Sequence, residues 1–135
     1  MGRCGLPFRL DCVTYEVTKW GSMRIEFENR KLERTFNVRS KLVQAYGERQ
    51  AQKIGLRMAV LNNASCLADV PAVPPDRRHQ LSSNRDGQFA VDLDHPYRLV
   101  FAVADQPVPL LPDGGIDLAA VTAIRIIQVV DYHGR

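Results

Sequence analysis

The sequence predicts an α+β domain in which an N-terminal strand and a two-helix hairpin pack on a largely antiparallel, twisted sheet of four to five strands. Three observations lead there. Residues 24–27 alternate polar and apolar as a half-buried strand does; two stripes of apolar residues at helical spacing follow; and the second half of the chain is a series of alternating or β-branched runs cut by Pro and Gly.

Taken in order, Arg24-Ile25-Glu26-Phe27 is the first strand. Asn29 then suits an N-cap, and Leu32, Phe36, Val43 and Tyr46 recur on one helical face until Gly47 offers a left-handed cap position, which predicts one helix. Ala51, Ile54, Met58 and Leu61, spaced by three and four, predict a second helix, with Gly55 costing it about 1 kcal/mol relative to alanine. The charged residues of this hairpin fall largely off the apolar stripe, so a basic outer surface is expected. Pro71, Pro74 and Pro75 among Leu67, Val70 and Val73 predict an irregular loop from 66 to 76 with apolar anchors. Arg78 to Leu81, a turn over Ser82 to Asp86, and the alternation of Phe89, Val91 and Leu93 read as a hairpin. Tyr97 to Val103 continues the meander after the Asp94-His95-Pro96 turn. Residues 105–118, rich in Pro and Gly, form an excursion that cannot hold a ladder, and Thr122 to Tyr132 is the last strand. Its double apolar run, Ile126-Ile127 and Val129-Val130, implies burial on both faces or a bulge.

The domain is expected to span residues 23–135. Residues 1–22 read as an N-terminal extension, non-native or disordered: their patterning is weak beyond Leu10 to Val17, and Gly21-Ser22-Met23 resembles a cloning junction, with a genuine N-terminal strand as the alternative. The 135 residues suffice for one core, and 45% hydrophobic with 24% charged residues excludes a disordered or fibrous chain. Net charge is only +3, but residues 24–57 hold nine Lys/Arg against four acids, a local excess of five. Three widely spaced cysteines (Cys4, Cys12, Cys66) suggest neither a disulfide framework nor a zinc site, and no apolar run approaches the ~18 residues of a membrane span. A cytoplasmic protein without metal or cofactor is expected.

The stretch from Arg77 to Phe101 carries His79-x-Leu81, a short turn, Arg85-x-Gly87-x-Phe89, then Tyr97-Arg98-Leu99-x-Phe101, and the chain closes on Asp131-Tyr132-His133. Together with the strand-helix-helix start, these blocks resemble the RelE/ParE superfamily of toxins, in the HigB-like killer-protein branch. The likeness covers residues 23–133. It implies a type II toxin that cuts messenger RNA on the ribosome without a metal, the 2′-hydroxyl attacking the adjacent phosphate to leave a cyclic phosphate. It also implies a helix-turn-helix, HigA-like antitoxin as partner.

Such a reaction needs a base, an acid, and donors for the charge on phosphorus. The resemblance assigns His79 and His133 to acid and base, Asp131 to setting an imidazole tautomer or acting as base, and Tyr132 to stacking or donating its hydroxyl. Arg98 and Arg85, with Arg77 or Arg78 further out, are the phosphate-binding candidates. Without that pattern, His79 is an ordinary strand histidine, Asp131-Tyr132-His133 a frayed end, and Arg85 a turn charge beside Asp86. One departure stands out: Ser82-Ser83-Asn84 replaces the Lys-Gly-Asp common in the family turn and removes a lysine. Two other functions remain open on the same fold, a ParE-like gyrase inhibitor that binds without catalysis and a non-toxic interaction module.

Overall fold

The computed structural model describes residues 22–81 and 87–131. Residues 1–21 of the predicted 1–22 extension, the turn at 82–86 and residues 132–135 lie outside them. The elements run β1 (Arg24–Phe27), α1 (Arg30–Asn37), α2 (Arg39–Tyr46), α3 (Glu48–Asn63), β2 (His79–Gln80), β3 (Gln88–Asp92), β4 (Tyr97–Val103) and β5 (Ala123–Asp131). The five strands form one sheet in the order β1-β5-β4-β3-β2, antiparallel except for the parallel pairing of β1 with β5. The fold is α+β, with a mixed sheet. Among the described residues, no helix is long and apolar enough to cross a membrane.

The expected first helix is two. Asn29 caps α1 as anticipated, its Oδ1 accepting from Leu32 N–H at 2.8 Å, and Gly47 takes the positive φ of 91° between α2 and α3. Val38 interrupts, extended at φ −124°. Asn37-Val38 is a weak helical pair, because asparagine competes for backbone hydrogen bonds and a β-branched side chain loses rotamer freedom. Phe36 uses the bend to reach both Phe27 (ring centroids 5.5 Å) and Tyr46 (6.3 Å).

The main core lies between the helices and one sheet face, where Ile54 and Leu61 of α3 join Phe89, Leu99, Phe101, Ile124 and Ile126. Phe89 and Phe101 stack with centroids 6.0 Å apart. On the opposite face a smaller cluster joins Leu81, Ala90 and Val100 to Ile127 and Val130. Both readings of the apolar run in β5 therefore hold: both faces are covered, and the register shifts, with Val100 facing Gln128 and Phe101 facing Ile126 so that Ile127 is the extra residue.

Three expectations change and one holds. Val73 is 64% exposed and anchors nothing, whereas Leu67 and Val70 are buried: the bond from Arg78 Nε to the Val70 carbonyl ties the loop down ahead of Val73. β2 is only His79–Gln80, because Arg78 turns its N–H to the Pro71 carbonyl instead of a strand. The 105–118 excursion holds no ladder, as expected, and closes on itself through one isolated bridge between Leu110 and Ile116. Arg57, counted with the basic outer surface, is buried at 5% exposure because its guanidinium finds internal acceptors.

Candidate active site

A polar network links α3, the loop before β2, and the face of β2–β4 that the helices do not cover. It starts at Arg57, whose Nε donates to the Asp92 carbonyl at 2.6 Å and whose Nη2 donates to the Pro75 carbonyl at 3.2 Å. Asp76, equally buried, lies 3.6 Å from that Nε. The Nε hydrogen points to Asp92, so Asp76 Oδ1 receives Coulomb attraction without a hydrogen bond and has no other donor. Asp92 N–H donates to the Asp76 carbonyl at 2.8 Å. The loop is thus pinned to the end of β3 by one backbone hydrogen bond and one buried guanidinium.

Arg77 follows, at φ +47°, in the left-handed region that a bulky L-residue occupies only under constraint. This conformation has two consequences. Its carbonyl meets His79 Nδ1 at 2.8 Å. A carbonyl can only accept, so Nδ1 carries the hydrogen, and Nε2 of the neutral ring keeps its lone pair for another partner. Its guanidinium reaches Asp92, Nη1 to Oδ2, at 2.8 Å. Arg98 stands on the other side of the same carboxylate, Nε to Oδ1 at 3.2 Å. That approach is a close ion pair but off line for a hydrogen bond, which is why Oδ1 lacks a donor despite the distance.

The register puts these groups on one face. His79 pairs with Ala90, Ala90 with Val100, and Asp92 with Arg98, so alternation aims His79, Asp92 and Arg98 to the side away from the helices. Two guanidiniums flank one carboxylate beside a histidine whose Nδ1 hydrogen is held by the Arg77 carbonyl. Guanidiniums suit phosphate recognition, and Nε2 of this ring can exchange a proton.

The other candidates are distributed differently. Arg78 gives its Nε to the Val70 carbonyl at 2.9 Å and its N–H to Pro71, which makes it a loop latch. Asp131 pairs with Tyr97, two residues beyond the Leu99–Val129 pair that belongs to the helix-side core. Its side chain therefore emerges on the face opposite His79, and the two are not brought together. Arg85, Tyr132 and His133 lie outside the described residues. Sequence reasoning passed over Asp92, Asp76 and Arg57. Asp92 was within reach: counting outward from the Asp94-His95-Pro96 turn sets Leu93 opposite Tyr97 and Asp92 opposite Arg98, an opposite-charge cross-strand pair. Arg57 also carried a signal: three residues after Ile54 and four before Leu61, it lies on the buried stripe of α3, where a cation needs internal acceptors. Among the described residues, no three His, Cys, Asp or Glu side chains gather as a metal site requires.

No family model matches the sequence, and no curated protein does. Among solved structures the chain is similar to the YoeB dimer from Staphylococcus aureus, at 19% identity and a TM-score of 0.46, over 83% of this chain and 98% of that one.

Proposed function

We propose that this chain is a toxin of the RelE/ParE type, in the HigB-like branch, that cleaves messenger RNA on the ribosome and is held in check by a helix-turn-helix antitoxin. The observation that carries the reading is the His79 arrangement: an imidazole of defined tautomer, its Nε2 left for a substrate, on the same sheet face as the Asp92-bridged pair Arg77 and Arg98. The motif pattern from Arg77 to Phe101 and at Asp131-Tyr132-His133 supports it independently of that geometry.

In this reading the scissile phosphate lies against Arg77 and Arg98, with Arg85 as a further contact. A base removes the 2′-hydroxyl proton, the 2′-oxygen attacks phosphorus, and the 5′-oxygen departs with a proton from an acid, leaving a 2′,3′-cyclic phosphate and a 5′-hydroxyl. His79 Nε2 and His133 divide the two proton transfers, and Tyr132 stacks on a base. Asp131, on the other face, takes no direct part. No metal ion enters any step.

The test is cleavage of ribosome-bound messenger RNA mapped by primer extension, together with growth arrest on induction. His79→Ala is expected to lower cleavage by roughly 10²–10⁴-fold, and Arg98→Ala to weaken the RNA complex with a shallower salt dependence. Arrest that survives the His79→Ala/His133→Ala double substitution would remove the nuclease and leave a non-catalytic mode such as gyrase binding. No arrest from the unaltered chain would leave an interaction module.

A further inference from the structure

β5 outruns the strand beside it. The β1 ladder stops where Phe27 faces Ile126, its last bond running from Glu28 N–H to the Ile126 carbonyl at 2.8 Å, and the chain then turns into α1. β5 goes on to Asp131. Over Ile127–Val130 it has β4 on one side and, among the described residues, no strand on the other. A strand edge of this kind offers main-chain donors and acceptors to an added strand.

A groove runs along that edge. One cavity of ≈ 340 Å³ lies between β5, at Ile127, Gln128 and Val129, and the helices, at Leu32, Ala45 and Tyr46. A second, of ≈ 420 Å³, shares Lys31, Thr35 and Ala45 with it and adds Arg34 and Lys41. The cations here gather in one concavity and differ from four of the surface arginines. Arg24, Arg39, Arg49 and Arg125 each have a carboxylate within 4.0 Å, whereas Lys31, Arg34 and Lys41 make no ion pair among the described residues. Three uncompensated cations in one concavity concentrate positive potential.

We propose that this groove docks an extended acidic segment of a partner protein, which adds a strand to the free edge of β5 and lays its carboxylates against Lys31, Arg34 and Lys41. The strand edge favours a peptide over a nucleic acid, because only a peptide main chain continues a β-ladder. The apolar floor of Leu32, Ala45 and Val129 accommodates every second side chain of such a strand. The inference does not depend on the nuclease chemistry, so either can fail alone.

The test is selection of random twelve-residue peptides, displayed on phage, against the full chain. Enriched sequences are expected to alternate apolar with Asp or Glu residues. Binding should fall at least about 10-fold in Lys31→Glu/Arg34→Glu/Lys41→Glu and in Ala45→Trp, which fills the groove without changing its charge. Amide exchange over Ile127–Val130 should slow when a selected peptide is added. Peptides without acidic residues, binding unchanged in both variants, or protection elsewhere would each overturn the proposal. So would displacement of the peptide by an equimolar oligouridylate, which would give the groove to RNA.

Discussion

Arg57 is the residue whose removal the structure predicts will matter most for stability. Arg57→Met keeps most of the side-chain volume but leaves Asp76, at 6% exposure, as a buried carboxylate with no cation, and strips the Asp92 and Pro75 carbonyls of their donor. Breaking a buried pair from one side costs about 3–5 kcal/mol, because the surviving charge stays desolvated. For a domain of this size, roughly 3–4 °C per kcal/mol converts this into a melting-temperature fall of ~10–20 °C. Replacing both partners, in Arg57→Met/Asp76→Leu, removes the isolated charge and should restore much of the loss. Urea unfolding of the two single variants and the double closes the cycle. A loss below about 1 kcal/mol in Arg57→Met, or a double variant no more stable than Arg57→Met, would refute the account of a charge-compensated anchor. Amide exchange at His79 and Gln80 should accelerate in Arg57→Met more than exchange in β4 does, since the anchor holds the loop leading into β2.

Other substitutions separate backbone from side-chain roles. Arg77→Gly relieves the left-handed conformation at φ +47°, so it should be more stable than Arg77→Ala by about 1 kcal/mol in chemical denaturation, while both lose the Asp92 contact and bind RNA equally weakly. Gly55→Ala should stabilise the chain by about 0.5–1 kcal/mol, since a Cβ at this helical position meets nothing within 4 Å; a lower denaturation midpoint would contradict that. At Asp105, partial burial raises the carboxyl pKa, but hydrogen bonds from the Thr122 hydroxyl and N–H and from Ala123 N–H outweigh it and hold the group below its ordinary value. With the folded pKa depressed, the contribution is complete above the unfolded carboxylate pKa of about 4 and fades as pH falls through the lower folded value. Asp105→Asn should therefore lose stability at pH 7 and converge on the unaltered chain in strong acid, as followed by urea midpoints across pH.

The elements most legible in the sequence are those with one dominant local cause. β1 and β3 follow from alternation, β4 from the run that continues the meander after the Asp94-His95-Pro96 turn, the start of α1 from the Asn29 cap, and the break before α3 from a glycine that accepts positive φ. Where two causes compete, the pattern misleads. The apolar stripe of Leu32, Phe36, Val43 and Tyr46 spans residues 32–46 as if one helix carried it, yet the local weakness of Asn37-Val38 wins because Phe36 still packs on both Phe27 and Tyr46 after the bend. Val73 fails as an anchor for a related reason: an apolar residue between prolines is buried only if the loop's path brings it inward, and that path is set by Arg78 holding Val70, a contact no periodicity encodes.

The site shows the same division between residue identity and residue environment. His79, Arg77 and Arg98 can be picked out by type and spacing, but whether they act together depends on Asp92, which bridges the arginines, and on a left-handed arginine whose carbonyl fixes the imidazole. Neither feature is a motif. Arg57 shows how such features are overlooked: its charge counts toward the basic stretch of residues 24–57, although its place between Ile54 and Leu61 on the α3 stripe points inward, and in the fold it holds the loop from beneath. Three other cations of that stretch, Lys31, Arg34 and Lys41, make no ion pair among the described residues and line the groove beside β5. A single run of like charge thus resolves into an internal anchor and an external docking surface. The difference lies in which backbone acceptors each guanidinium or ammonium can reach, a property of tertiary placement that no count of charges along the chain contains.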